Sequence, residues 1–194
     1  MKYLIAFIAI PLFLLSFTII NEYILDYKVS DDFTMVIKGT SNVHDWESEI
    51  EKVSGNFSIS YGEDGTLQIR ECEVTIPVKS IKSGRGIMDK KTWAALEADR
   101  NPNIKYRLSS CTNMIKTGSN FTANTTGKLT IAGTTKLVGI KIIGKELANG
   151  SMEITGSKAL KMTDFNIDPP TALMGTMTTG DDITIEFRIV LNEN

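Results

Sequence analysis

The chain of 194 residues is poor in the side chains that bind transition metals. It contains one histidine, His44, and two cysteines, Cys72 and Cys111. Zinc sites draw three or four ligands mainly from these residue types, so the sequence predicts no metal site. It also lacks the motifs Gly-x-Gly-x-x-Gly and Gly-x-x-x-x-Gly-Lys-Ser/Thr, which place a nucleotide phosphate at a helix N-terminus. No cofactor of this kind is expected.

The chain also has little excess charge of either sign. Its formal net charge is -2, and the 21 lysines and arginines are scattered along the sequence. Proteins that bind DNA or RNA concentrate such residues in a basic patch or stripe. The composition therefore excludes nucleic acid as an expected partner.

A catalytic constellation is missing as well. His44 lies beside Asp45, but no Gly-x-Ser-x-Gly nucleophile motif accompanies them. The carboxylates of the later strands alternate with apolar residues and are expected on the solvent side. We predict no catalytic residue and no enzymatic activity. The alternative is an enzyme acting on a lipid-like substrate, with His44, Asp45 or Asp164 as acid or base.

The N-terminus carries the longest apolar run of the sequence. Residues 1–20 begin with Met-Lys and continue almost without polar residues, which is typical of a secretory signal. No Ala-x-Ala-like cleavage site follows, and the run is close to the length of a membrane-spanning helix, so an uncleaved anchor stays open. The segment predicts export to the periplasm or cell envelope, where Cys72 and Cys111 could form a disulfide or remain separate thiols.

From about residue 26 onward, apolar and polar residues alternate in short segments. This period of two indicates half-buried antiparallel strands. The residues Gly62-Glu63-Asp64-Gly65 suit a hairpin turn. The alternation slips by one residue around Glu71, which predicts a β-bulge.

One segment departs from this rhythm. Residues 88–98 favour a helix, with Asp89 as the expected cap and with Trp93 and Leu96 three residues apart on one side. Asn101-Pro102 should end it, because the residue before proline disfavours the helical region.

These elements predict an all-β fold for a single domain at residues 26–194. We expect an extended antiparallel, lipocalin-like β-barrel of about eight strands with one short inserted helix, preceded by the N-terminal apolar segment. A two-sheet sandwich is the alternative. A barrel of this size either fills with side chains or holds one small ligand.

The segment 161–180 is too long and too apolar for a simple hairpin loop. Loops of this length usually have a function. Met162, Met174 and Met177 are flexible side chains of the kind that line adaptable apolar cavities. The loop is expected either to line a cavity or to plug the barrel end.

Several of these segments together resemble the YceI family of lipocalin-like, polyisoprenoid-binding exported proteins, in a His-Asp-Trp form. The resemblance covers nearly all of the exported part and rests on six blocks in order: residues 39–46, 74–81, 88–96, 101–106, 127–136 and 162–180.

The resemblance implies an extended barrel with a lipid-like chain in its interior. The expected function is binding, storage or transport of an amphipathic isoprenoid or quinone-type lipid in the cell envelope. It also implies a homodimer, and ligand exchange would bring the protein into contact with a membrane. A ligand-free barrel serving in envelope stress or structure is a further alternative.

The binding residues are expected among inward-facing side chains near the helix and the long loop. The candidates are Trp93, Leu96, Met162, Phe165, Met174, Met177, Ile185 and Phe187.

Overall fold

The computed structural model describes residues 22–172 and 175–194. Antiparallel strands dominate it, joined by one α-helix within these residues. The strands are β1 (Glu22–Ser41), β2 (Trp46–Ile50), β3 (Ser54–Gly62), β4 (Leu67–Pro77), β5 (Ile81–Lys82), β6 (Asn103–Thr117), β7 (Asn120–Ile131), β8 (Thr134–Glu146), β9 (Met152–Lys161), β10 (Thr171–Ala172) and β11 (Met177–Glu193). The helix α1 is Gly86–Ala95, and short 3-10 turns occupy Val78–Ser80 and Thr163–Phe165.

The sheet closes on itself because the first and last strands pair. Met35 on β1 lies opposite Phe187 on β11, and the next inward pair is Ile37 with Ile185. Within the described residues, eight strands complete the closed barrel: β1, β3, β4, β6, β7, β8, β9 and β11. The predicted eight-stranded antiparallel barrel is confirmed, and the sandwich alternative is wrong. Closure pairs both edges, which an open sheet leaves exposed.

Two local features of the strands follow the sequence pattern. The turn predicted at Gly62–Gly65 forms, and Gly65 has φ +80°. The bulge also forms, because Ser58 pairs with Glu71 whereas Ile59 pairs with Ile69. Arg70 is therefore the extra residue that changes the face on which the apolar side chains lie.

The helix is confirmed, but its bounds differ from the prediction. It begins at Gly86 and ends at Ala95, and Glu97 just beyond it has φ +51°. The prediction that Asp89 caps the helix is wrong. Its carboxylate instead accepts hydrogen bonds from the backbone N–H and the hydroxyl of Ser83, both at 2.7 Å. These bonds hold the pKa of Asp89 below its ordinary value and fold the preceding loop against the helix.

The barrel end away from α1 is filled with side chains; we call it the closed end. Its buried apolar residues are Phe57, Ile59, Phe121, Met152 and Leu191, each at most 5% exposed. Tyr27 and Tyr61 also lie at this end, with their hydroxyls hydrogen-bonded at 3.1 Å. This packed half provides a fixed base for the opposite, open end.

The two cysteines stay separate thiols. Cys72 is buried, Cys111 is half-buried, and neither forms a disulfide. Burial raises the pKa of both thiols. The alternative of a bridge between them is not realised.

The predicted export segment at residues 1–20 lies outside the described residues and stays a prediction. In residues 22–172 and 175–194, none of the helical structure has the length and apolar character needed to cross a membrane.

Candidate functional site

A cavity of about 480 Å³ occupies the open end of the barrel. Its wall consists of aliphatic side chains contributed by six different strands, which converge because every second residue of a strand faces inward. These residues are Ile37, Ile81, Ile104, Ile131, Leu160, Ile183 and Ile185. A concave apolar space of this size is typical of a small-molecule site.

Helix α1 and the long loop after β9 cover the cavity. Ala95 and Leu96 line it from the helix side, whereas Met162 and Phe165 line it from the loop. Phe165 is only 2% exposed, so the loop both lines the cavity and fills part of the barrel end. The two functions that the sequence left as alternatives therefore coexist.

Polar contacts fix this cover in place. Thr163 donates to Asp181 through its backbone N–H at 2.9 Å and through its hydroxyl at 2.7 Å. These bonds lower the pKa of the Asp181 carboxyl. On the other side, the ammonium group of Lys91 on α1 donates to the carbonyl oxygen of Thr171 at 2.6 Å. The loop is thus tied to both β11 and the helix.

The structure brings five of the predicted binding residues together around the cavity. They are Leu96, Met162, Phe165, Met177 and Ile185. Met174 lies outside the described residues. That these side chains bind a ligand stays a prediction.

Trp93 and Phe187 do not border the cavity. The indole N–H of Trp93 donates to the carbonyl oxygen of Ile81 at 3.1 Å, and the ammonium group of Lys82 lies 4.2 Å from the ring centre. Trp93 therefore anchors α1 against the 78–82 segment. Phe187 lies one inward position beyond Ile185, toward the closed end and across from Gly156 on β9.

Sequence reasoning missed the contribution of β2. Trp46 and Ser48 both line the cavity, and they pair with Gly39 and Ile37 on β1. The alternation Trp46, Ser48, Ile50 could have placed them on the inner face, but a serine at an inward position weakens that signal. Trp46 is held by its indole N–H, which donates to the carbonyl oxygen of Thr40 at 3.0 Å.

His44 lies at the mouth of the cavity. Its Nδ1 is 2.7 Å from the carbonyl oxygen of Asp45, so Nδ1 carries the proton and donates it. Asp164 is exposed and does not line the cavity, and among the described residues no hydrogen bond joins it to His44. In the same part of the chain, no three His, Cys, Asp or Glu residues are grouped to hold a metal ion.

The rim of the cavity carries cationic side chains, whereas its interior is apolar. Arg85, Lys91 and Lys161 contribute to the lining, and all three are exposed. Such an arrangement is amphipathic, because the interior of the cavity is apolar and its entrance is charged and hydrated. It fits a ligand with a long apolar part.

The chain is similar to proteins of known family and structure. The family model described as YceI-like domain matches residues 27–191. Burkholderia cenocepacia BcnA is 21% identical with a TM-score of 0.64, covering 81% of this chain and 95% of its own. A polyisoprenoid binding domain from Saccharophagus degradans, implicated in plant cell wall breakdown, is 10% identical with a TM-score of 0.69, covering 88% of this chain and 99% of its own.

A third solved structure, the YceI protein of Campylobacter jejuni, is 17% identical with a TM-score of 0.57; the match covers 76% of this chain and 84% of that one. No curated protein sequence matched the chain. At these identities the solved structures establish the shared fold.

Proposed function

Because this chain belongs to the YceI-like domain family, we propose that it binds an isoprenoid-type lipid in the open end of its barrel and stores or carries it. A quinone-type or prenyl lipid is the ligand class. The observation that carries the proposal is the apolar cavity of about 480 Å³. The similarity to the polyisoprenoid binding domain of Saccharophagus degradans supports the same ligand class.

The cavity volume limits how much of a lipid can be enclosed. At the packing density of protein interiors, a methylene group occupies about 25 Å³. The volume of about 480 Å³ therefore accommodates about 20 carbons, or about four isoprene units. Longer chains would have to leave the remainder at the rim.

Apolar burial alone supplies enough affinity for such a chain. Each buried methylene contributes about 0.8 kcal/mol, so about 15 carbons give about 12 kcal/mol. Association costs at least about 4 kcal/mol, and the remaining 8 kcal/mol corresponds to a Kd of about 1 μM. No catalytic group is needed, and we propose a binding protein without enzymatic activity.

The proposal includes a setting in the cell envelope. The apolar segment 1–20 supports export to the periplasm or envelope, either cleaved or as an anchor. Mass analysis of the N-terminus of protein from an envelope fraction tests this, and recovery only from the cytosol would contradict it.

A homodimer is also proposed from the family resemblance. A molar mass equal to that of one chain, measured by light scattering, would contradict it.

Contact with a membrane during ligand exchange is part of the same proposal. Ile87 lines the cavity mouth and is 78% exposed, close in sequence to the cationic Arg85. An apolar tip beside a positive charge suits an anionic lipid surface. Ile87→Ser should weaken sedimentation with vesicles of phosphatidylglycerol; unchanged sedimentation would contradict this contact.

The binding proposal is tested with defined ligands. Geranylgeraniol, a C20 prenol, is titrated into the protein and the change in tryptophan fluorescence is followed, because Trp46 lines the cavity. We expect saturation at one ligand per chain with a Kd in the micromolar range or below. Lipid extracted from the purified protein and analysed by mass spectrometry should contain an isoprenoid.

A matched pair of variants locates the site. Ala95 lines the cavity, whereas its neighbour Ala94 on the same helix is exposed and does not. Ala95→Leu should weaken geranylgeraniol binding about tenfold by occupying the cavity, and Ala94→Leu should leave it unchanged. Absence of saturable binding to the wild type, or equal effects of the two variants, would overturn the proposal.

A further inference from the structure

We propose that the hydroxyl of Ser48 hydrogen-bonds an uncharged oxygen of the ligand, so that the cavity selects an oxygenated isoprenoid, an alcohol or a carbonyl compound, over the corresponding hydrocarbon. The inference rests on the proposed function, because it names the chemistry that the same cavity recognises. It assigns a specific polar contact to a site that is otherwise apolar.

Ser48 is buried at 3% exposure and lines the cavity. Every other buried polar side chain of the described residues has a hydrogen-bond partner. The hydroxyl of Ser151, for example, donates to Asn192 Oδ1 at 2.9 Å, and that of Thr125 donates to the carbonyl oxygen of Ile140 at 3.1 Å. The Ser48 hydroxyl has no such partner among the described residues. Its oxygen nevertheless retains contact with open space, because no fully enclosed side-chain atom lacks a partner there. The remaining open space at Ser48 is the cavity.

An unpaired hydroxyl in an apolar site carries a cost. Burial of a polar group without a hydrogen bond is unfavourable, and a buried polar group without a partner in a native protein calls for an explanation. A ligand oxygen next to Ser48 would supply the missing bond. A hydrocarbon of the same size would leave it unmade.

The position of Ser48 favours an uncharged oxygen. Ser48 lies two residues beyond Trp46 along β2, about 7 Å farther along the strand in the direction of the closed end. Its cross-strand partner is Ile37, and the cationic side chains Arg85 and Lys91 are exposed at the rim. A charged group at this depth would lose its hydration without gaining a counter-charge. Alcohol and carbonyl oxygens can exchange a hydrogen bond with a serine, which both donates and accepts.

The test compares two ligands that differ in one oxygen. Farnesol and the hydrocarbon farnesene have the same 15-carbon skeleton, and both fit the volume of the cavity. Their affinities are measured for the wild type, for Ser48→Ala and for the control Ser151→Ala, which removes a buried serine hydroxyl that lies beside the closed-end residue Met152. Fluorescence of the Trp93→Phe variant, in which Trp46 is the sole tryptophan, provides the signal.

We expect Ser48→Ala to weaken farnesol binding about three- to tenfold and to leave farnesene binding unchanged or slightly tighter. Ser151→Ala should preserve the ratio of the two affinities. As a second measurement, the ligand-free Ser48→Ala protein should melt at the same or a higher temperature than the wild type, whereas Ser151→Ala should melt lower because a satisfied bond is lost.

The outcomes separate this inference from the proposed function. If the wild type binds both ligands and Ser48→Ala changes neither affinity, or both equally, the Ser48 contact is overturned while lipid binding stands. If the wild type binds neither ligand, the proposed function itself fails. A lower melting temperature for ligand-free Ser48→Ala would also contradict an unpaired hydroxyl.

Discussion

The indole ring of Trp46 lies directly across Gly39, its cross-strand partner on β1, and leaves no room there for a side chain. A Cβ at Gly39 would overlap the six-membered part of the ring. Gly39 therefore allows Trp46 to lie flat against the barrel wall, and this placement keeps the cavity open.

Gly39→Ala should displace Trp46 into the cavity. The ring would lose its hydrogen bond to the carbonyl oxygen of Thr40, and we expect about 1–3 kcal/mol lower stability together with at least tenfold weaker geranylgeraniol binding. Urea unfolding and fluorescence titration measure the two effects. Gly139→Ala on β8 is the control, because a Cβ there meets only an ordinary contact at 3.8 Å; a similar loss in both variants would refute the explanation.

We predict that Phe187, which lies one inward position beyond the lining residue Ile185, limits how far a ligand reaches into the barrel. Its ring packs over Gly156 on β9, where an added Cβ would lie 2.5 Å from the ring Cζ. Wild-type protein should bind C15 and C20 prenols progressively more tightly and gain nothing from a C30 prenol. Phe187→Ala should extend the cavity toward Met35 and let the longer chain bind more tightly.

The control for cavity depth is Phe121→Ala. Phe121 is 1% exposed and packs over Gly144 at the closed end. Both truncations should cost about 3–5 kcal/mol of stability, but only the change at Phe187 should alter the preference for chain length. The same chain-length profile in both variants would show that Phe187 does not limit the depth available to the ligand.

The two thiols should differ in reactivity. Cys72 is buried, whereas Cys111 is half-buried. Burial raises the pKa of both thiols, and the thiolate is the reactive form. In the native protein at pH 8, Ellman's reagent should leave Cys72 unmodified and react slowly with Cys111; both should react in urea. Cys111→Ser should abolish the native reaction. A Cys72–Cys111 cross-link in a non-reducing digest would contradict this prediction.

Stability should fall at alkaline pH. Burial raises the pKa of Tyr61 and of Cys72 above their ordinary values of 10.0 and 9.0. The folded state therefore keeps both groups protonated while the unfolded chain releases their protons, so the stability present below pH 9 is lost as the pH rises further. Urea midpoints at pH 7, 9 and 10.5 measure the effect. Tyr61→Phe should make the decline shallower, and parallel profiles for the two proteins would argue against the assignment.

Local patterns in the sequence predicted the strands well. The bulge at Arg70 was visible as a slip in alternation, because one extra residue moves every following side chain to the other face. The turn at Gly62–Gly65 was visible because few residue types adopt positive φ. Both features depend on residues close in the chain, and a linear pattern contains that information.

The site was predicted less completely. Leu96 and Ile185 were expected near the ligand and do line the cavity. Trp93 was predicted to bind the ligand, but the face of α1 that carries it packs against Ile81, whereas Trp46 on β2 lines the cavity. Which side of a short helix meets the barrel depends on contacts between residues far apart in sequence. The pattern of apolar residues within the helix does not reveal those contacts.

The sequence by itself determined that the chain forms antiparallel strands with one apolar face, because alternation with a period of two is a property of neighbouring residues. Only the tertiary structure decided that the barrel is solid at one end and hollow at the other. That difference arises where inward side chains from separate strands meet: Phe121 and Met152 fill the closed end, whereas branched aliphatic side chains leave space at the open end. It also decided that Ser48 faces that space with no hydrogen-bond partner among the described residues.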